Sequence, residues 1–526
     1  MPPSFDLAER GFCRVRWRPG RSPDENPDAP VGFRELLVRA ADIADVEVPH
    51  PPALAGLLRV LTVMAARISG LDALDRRTDW EDARLAVLDK GKFDPGAVQR
   101  YFAQHEGRFE LFHTASSTPF LQDPRLLDEC RTVKGEVTSS GVNKLALGRA
   151  AGQGFVWLAH TVDDQPPPLA AADAVFALLA WLYFGVPGRC TPRRVGETAA
   201  ADTKAGPLRG TVSYHPVGES LFETLILGMP FMPASESSPA LWEDEPRDPC
   251  ALPSPGTGVG GLLANRFQHA VLLDPDESGE SVVDARITWA WRLARGPAQD
   301  PYLIYRTSRD GLPYPQPAEA SRAAWRDLDC LIGKHEDHQR PTVFEGLDDL
   351  MSGQGRAVRI KALGFEQDRS QAKDKQFYSG TTPAKQELWQ QVDPDRFGRL
   401  RSARVAAEVR GWHLRGALTE AWWELVRVRP SRAGKSRDGG VPWLHSCMSD
   451  YWERAEHHFW QAISTEQPPD FNIVNRFIHL ALKSYDTATG MVRRTPDDIK
   501  IIERNRRRLW TGYQAGPETQ NGAEND

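Results

Sequence analysis

Two sets of side chains in this 526-residue sequence have spacings that chemistry could use. The first is cationic. Arg401, Arg404 and Arg415, with Glu408 interrupting the row, share one face of a helix-periodic stretch, and Arg427, Arg429, Arg432, Lys435 and Arg437 extend it. Arg504, Arg506, Arg507 and Arg508 form a second cluster. Guanidinium groups hold phosphate oxygens bidentately, so the excess of Arg over Lys suits a polyanion, with a solvated helix face as the competing reading. The second set is Lys204, Ala205, Gly206, Arg209 and Gly210, whose small residues let a backbone approach a phosphate chain. It runs into an alternating strand, Thr211 to Tyr214, and then a helix carrying Leu221, Phe222, Leu225 and Ile226.

Other spacings fail when their chemistry is checked. Gly256, Gly258 and Gly261 satisfy G-x-G-x-x-G but follow Pro-Ser-Pro, not a strand, and no βαβ unit surrounds them. Gly434, Lys435 and Ser436 echo the end of a P-loop, yet Arg429 stands where a glycine is required. His445, Cys447, His457, His458 and His479 match no standard metal-ligand spacing, and neighbours on a helix point in different directions. No activated nucleophile or carboxylate pair stands out. Cys13, Cys130, Cys190, Cys250, Cys330 and Cys447 stand singly, which argues against a disulfide framework and fits a reducing cytoplasm.

The elements that must position these groups follow from periodicity. The length implies two or more domains. The N-terminus lacks the order of a secretory signal. Two apolar runs, Leu54 to Ile68 and Leu169 to Phe184, contain Arg59, Arg67 and Asp173 and read as buried helices, not membrane spans. Short strands are expected at Gly11 to Trp17 and near Val31, with helices over Phe33 to Ala44 and Pro52 to Ser69. Another helix is capped by Asp94 and Pro95. Leu126 to His160 reads as a long loop with one short helix near Asn143, and Phe231 to Gly261 as a surface connector. Val271 to Leu273 and Val282 to Trp289 read as a hairpin, and Ala357 to Phe365 leads into a polar hairpin tip. Beyond about Gly380 the chain is almost all helix. Met448, Trp452, Ala455, Phe459 and Ile463 form one apolar stripe, and Thr495, Pro496 and Asp498 cap the last helix.

Charge divides in the same way. Residues 381–510 carry 22 Lys plus Arg against 16 Asp plus Glu, whereas the preceding 380 carry 43 against 52. The basic C-terminal region therefore suggests a polyanionic partner. The expected fold class is α+β: an irregular, loop-rich N-terminal α/β domain over 1–380, a C-terminal four-helix bundle over 381–510, and a disordered tail over 511–526.

Several segments, in order along the chain, resemble the large-subunit (CasA) family of the type I-E CRISPR surveillance complex, Cascade. They are TPFLQD at Thr118 to Asp123, VNKL at Val142 to Leu145, PLRG at Pro207 to Gly210 with the following strand and LFETLIL, DPYLIYR at Asp300 to Arg306, and YWERAEHHFW at Tyr451 to Trp460. The resemblance implies a cytoplasmic, non-catalytic antiviral subunit with no cofactor and no metal. It would act beside crRNA and other Cascade subunits, recognise the protospacer-adjacent motif (PAM) in double-stranded DNA through the minor groove, and promote duplex opening and R-loop formation. It would then hold the non-target strand and recruit a helicase-nuclease. No membrane is implied.

The resemblance also places site residues. Gln371, flanked by Ser370, would be the wedge beside the PAM, with Gln367 as the other choice. The family's glycine-rich loop falls near Thr198 to Gly206, where Ala201 and Asp202 replace glycines and Lys204 could reach a phosphate. Arg286 or Arg292 would be the basic finger. Phe155, Val156 and Trp157 would lie in the loop near the crRNA end, and Arg401, Arg404, Arg415, Arg427 and Arg429 would guide the non-target strand. A metal-dependent hydrolase using the helix histidines, or a protein-only scaffold, is the alternative.

Overall fold

The computed structural model describes residues 4–23, 25–115, 117–132, 134–152, 160–253, 255–293, 296, 298–333, 338–347, 358–368, 374–384, 394–427, 440–464, 472–492 and 494–511. Helices and strands are mixed in an α+β architecture. The chain divides into two units, Met1–Ala324 with Lys334–Trp389, and Trp325–Gly333 with Gln390–Asp526.

In the first unit the Pro51–Ser69 helix is apolar all round, so every face must be covered. His50 accepts from Ala53 N at its start, and Gly70, at φ +74°, closes its end in the left-handed conformation. It packs against the helices Ala171–Phe184, Leu221–Leu227 and Gly258–Ala264. Gly56 permits the first of these contacts, because a Cβ there would lie 2.8 Å from the Tyr183 ring. Among the described residues it is the one helix long and apolar enough to cross a membrane, and it is mostly buried inside the protein. The two arginines that argued against a span are both paired. Arg59 reaches Asp300 through two hydrogen bonds of 3.0 and 3.2 Å, and Arg67 reaches Glu243 and Asp72.

The unit also holds several small antiparallel sheets. Arg14–Trp17 pairs with Ile43–Glu47, and Gly188–Val195 with Thr198–Thr203. His269–Pro275 pairs with Ser281–Trp289 as the expected hairpin, with Leu169–Ala170 on its edge. Asp374–Thr381, Arg359–Gln367 and Val212–Val217 form one sheet in that order.

Three expectations need correction. The helix from Phe33 ends at Val38, and Ile43–Glu47 is a strand, because Arg14–Trp17 offers an antiparallel ladder that overrides local helix preference. The strand after Gly210 spans Val212–Val217 and is buried at every position instead of alternating. Arg359–Gln367 pairs on one edge, while Ser213 bridges to Leu303 on the other. Gly380, the expected boundary, lies inside a strand opposite Ala362.

The second unit holds the helices Pro394–Leu425, Leu444–Ser464, Asn472–Thr489 and Pro496–Thr511, the first of which touches the other three. On the second helix the buried line runs through Cys447, Tyr451, Ala455, Phe459 and Ala462, shifted from the expected stripe so that Met448 and Trp452 lie at its margin. Thr495 and Asp498 cap the last helix reciprocally at 3.2 and 3.0 Å. Trp325–Gly333, placed by sequence in the N-terminal domain, belongs here. The Trp325 ring lies 4.7 Å from Phe459, and the Arg326 guanidinium sits 3.6 Å over Trp452.

Candidate nucleic-acid interface

The stretch around Lys204 is held as a platform. Gly206 lies so close to the end of the Ala171–Phe184 helix that a Cβ would sit 2.7 Å from the Tyr183 oxygen, and Gly210 has φ +68°. Arg209, the cation of the lead-in, is buried and structural. It donates to the Asp368 main-chain oxygen at 2.8 Å and to Asp374 Oδ1 at 2.9 Å, one residue on each arm of the Arg359–Gln367 hairpin. Gln367 joins the same clasp. Its Nε2 donates to Asp374 Oδ1 at 2.9 Å and its Oε1 accepts from Gly210 N at 3.3 Å. Gln367 therefore fastens the base of the hairpin and is not free to act as a wedge. Ser370 and Gln371 lie outside the described residues.

The segment expected as a glycine-like loop is a strand. Ala201 and Asp202 belong to Thr198–Thr203, where Asp202 stands opposite Arg189. Alanine carries little strand preference, so it is the ladder that fixes this conformation. The strand brings two of the expected residues together: Arg292 Nη1 donates to the Asp202 main-chain oxygen at 3.1 Å and lies 3.5 Å from its carboxylate. Trp289, which the sequence reading did not single out, positions both partners. Its Nε1 donates to the Ala200 oxygen at 3.1 Å, and its ring lies 5.3 Å from the Arg292 guanidinium and 5.0 Å from that of Arg193. Its place at the end of an alternating strand, three residues before Arg292, was the available signal. Lys204, one residue past the strand, is exposed.

Arg286, the other choice for a basic finger, is buried and bound to Asp274 at 2.5 and 2.7 Å. Its charge is compensated inside the hairpin. Phe155, Val156 and Trp157 lie outside the described residues, and the described residues on either side of them are tied. Gly152 N donates to Asp163 Oδ2 at 2.6 Å, and Asn143 donates to the Val162 oxygen and Asp163 Oδ1 at 3.1 and 3.0 Å.

In the helical unit the arginine row separates into two kinds. Arg401 and Arg415 are exposed, as is Arg427 at the helix end. Arg404 instead donates to the buried Asp329 at 2.6 Å, and Glu408, beside it, accepts from Arg326 at 2.7 and 2.8 Å. The face expected to meet phosphate is thus partly covered by Trp325–Gly333. Arg429 lies outside the described residues. The second cluster is engaged too: Arg504 pairs with Glu424, Arg506 with Asp486 at 2.7 Å, and Arg508 reaches Asn505 at 2.6 Å.

The helix histidines are placed individually. His457 faces Gln461 at 2.9 Å, His458 is buried edge-on to Phe477, and among the described residues no group of three His, Cys, Asp or Glu is arranged to hold a metal. Burial pushes the Cys13, Cys130 and Cys447 thiols up to about 12, unlike an activated nucleophile. Among the described residues no strand leads into Gly256. Gly258 opens a short helix, and a Cβ on Gly260 would lie 2.7 Å from Ala240 N, so these glycines serve packing.

The segments that carried the resemblance also prove to be packing points. Gln122 bridges the Leu111 oxygen and Leu273 N at 2.7 and 2.9 Å, Tyr302 donates to the Gly228 oxygen at 2.7 Å, and Tyr451 to the Ala407 oxygen at 2.7 Å. A fold shared with known proteins is what such residues would preserve. The sequence profile of the CRISPR-associated protein Cse1 family matches residues 14–472. The chain belongs to the Cse1 family. A CasA/Cse1 of Thermus thermophilus is 31% identical over 355 residues, and the match spans 65% of this chain and 65% of that relative's length. A chain of a solved CRISPR RNA-guided surveillance complex is 41% identical, covers 97% of this Cse1 chain and 100% of its own, and superposes with a TM-score of 0.83. The crystal structure of Cse1 from Acidimicrobium ferrooxidans, 20% identical with 97% and 98% of the two chains covered, shares the fold at a TM-score of 0.73.

Proposed function

We propose that this chain is a non-catalytic subunit of a crRNA-guided surveillance complex, in which it recognises the PAM in duplex DNA from the minor groove and promotes opening of the duplex. The observation that carries this reading is the 41% identity, over nearly the whole chain, to a subunit of such a complex. Minor-groove edges present a degenerate pattern, so recognition here tolerates several PAMs, and pairing with the guide supplies the remaining specificity.

Lys204 and Arg292 are the cations assigned to the duplex. Gln371 is the wedge, carried by a hairpin whose base Arg209 and Gln367 clasp. A long amide on a fastened hairpin can replace stacking lost when the first base step opens. Phe155, Val156 and Trp157 are assigned to the crRNA-proximal loop. The four C-terminal helices act as one four-helix bundle, and Arg401, Arg415 and Arg427 guide the displaced strand through salt-sensitive phosphate contacts. Recruitment of a helicase-nuclease completes the role.

Target-duplex binding by the reconstituted crRNA complex, with and without this chain and across all PAM trinucleotides, tests the proposal. PAM-dependent affinity that appears with the chain and weakens with Gln371→Ala supports it. Affinity that rises equally for every trinucleotide reduces the chain to an electrostatic clamp.

A further inference from the structure

The first unit contains an open cavity of about 530 Å³ whose wall includes Lys204, one of the proposed duplex contacts. Its volume falls within the roughly 300–1,000 Å³ of sites that bury small ligands. Its wall is built from cations, aromatic rings and amides, including Lys204, Arg266, Trp291, Tyr314, Gln268 and Gln299. Lys204 and Arg266 have no ion-pair partner among the described residues. Arg266 is half-buried and donates only to the Ala298 oxygen at 3.0 Å, so burial disfavours its charge and an anion would restore it. The acid in the wall, Asp300, is already bound to Arg59.

Tyr314 is 39% exposed, unusual for a ring that lines a cavity. Gln299 uses its Nε2 on Gln339, leaving its oxygen as an acceptor, and Gln268 presents a second amide. Two cations, two rings and two amides are the three kinds of group that meet the phosphate, face and edge of a nucleotide.

The cavity also adjoins the proposed duplex contacts. The strand that carries Asp202 continues into Lys204, and Trp291 directly precedes Arg292, so both segments of the Asp202–Arg292 contact lead into the cavity wall. We infer that the cavity takes one unpaired nucleotide, with its base against Trp291 and Tyr314 and its phosphate on Lys204 and Arg266. The inference rests on the proposed function, and it gives duplex opening at this surface a receiving site. An extruded base loses its stacking, and an aromatic pocket offsets that loss for any base. The nucleotide can come from the displaced DNA strand or from the guide RNA, since both present the same phosphate and base.

The test uses the crRNA complex reconstituted with the full chain, with 2-aminopurine at the first unpaired nucleotide of the displaced strand in one arm and at the 5′ end of the guide in the other. Stacking on an aromatic ring should quench the probe by about threefold or more in the arm that supplies the nucleotide. Tyr314→Ala should abolish the quenching, and Tyr314→Phe should keep it, with binding of the target duplex still PAM-dependent in both variants. Quenching that survives Tyr314→Ala, or is absent from both arms although the duplex is bound, overturns the cavity assignment alone. A complex whose duplex affinity does not depend on this chain overturns the proposed function and the inference with it.

Discussion

Arg292 is tied to Asp202 by a 3.1 Å hydrogen bond to a main-chain oxygen, so its guanidinium is oriented by the backbone, and its side chain is still 30% exposed. Arg286, six residues earlier and inside the His269–Trp289 hairpin, is paired with Asp274. The two therefore respond differently to substitution. Arg292→Ala should weaken duplex binding and lower the slope of log affinity against log salt by about one, without altering stability. Arg286→Ala should leave the slope unchanged and destabilise the fold by roughly 2 kcal/mol. Salt titrations of binding, paired with urea melts, separate them. An equal salt response for both variants would contradict the assignment.

The arginine row on the Pro394–Leu425 helix should split in the same manner. Arg404→Ala strands the carboxylate of Asp329, which is only 1% exposed, and should cost about 3 kcal/mol with little change in DNA affinity beyond that. Arg401→Ala should reduce non-target-strand binding several-fold, most strongly at low salt, and leave the melting temperature within about 2 °C. Crosslinking yield to the displaced strand, measured beside thermal melts, decides this.

Within the first unit, Arg59 is an uncompensated buried cation as soon as Asp300 is removed. Asp300→Ala should destabilise by about 3–5 kcal/mol, read as a lower denaturant midpoint, whereas replacing both residues by apolar ones of similar volume should cost much less. A loss below about 1 kcal/mol for Asp300→Ala would show that water reaches the site.

Burial lowers His269 from 6.5 to about 4, and His50 and His215 move in the same direction for the same reason. These side chains are neutral in the folded protein near neutral pH, while the unfolded chain takes up protons near 6.5. The stability they confer is therefore complete above about pH 6.5 and is lost as the pH falls toward 4. For His269, whose ring is fully buried and donates to the Val186 oxygen at 2.9 Å, the loss between pH 6.5 and 5 is roughly 1–2 kcal/mol. Melting temperatures at pH 7.5, 6 and 5 should fall in that order, and His269→Gln should flatten the trend. A rise on acidification would be the opposite sign.

Much of the fold was legible in the sequence where the signal was local. The Asp94–Pro95 and Thr495–Asp498 caps, the all-round apolar helix and the His269–Trp289 hairpin each follow from spacing alone. Where a distant strand decided the conformation, the local signal misled. The helix expected over Phe33 to Ala44 runs into the start of the Ile43–Glu47 strand, because the pairing partner Arg14–Trp17 is not visible in a window of a dozen residues, and the loop that the resemblance implied near Thr198 to Gly206 is largely the strand paired with Gly188–Val195. The site was less legible still. Helical periodicity showed that Arg401, Arg404 and Glu408 share a face, but not that Trp325–Gly333 covers part of it. One correction was within reach: the hairpin register places Arg286 diagonal to Asp274, so its burial as a pair could have been counted across the turn.

The short segment Trp325–Gly333 has a genetic consequence. Because it is stitched into the helical unit from well upstream, the polypeptide passes between the two units three times, at 324–325, 333–334 and 389–390. No single cut in the gene releases a complete C-terminal unit. A fragment beginning at residue 390 would lack the partners of Arg404 and Glu408 and the indole against Phe459, leaving charges and an apolar face bare. Exchange of this unit between relatives must therefore carry two segments together, so the two parts of the chain are inherited as one piece.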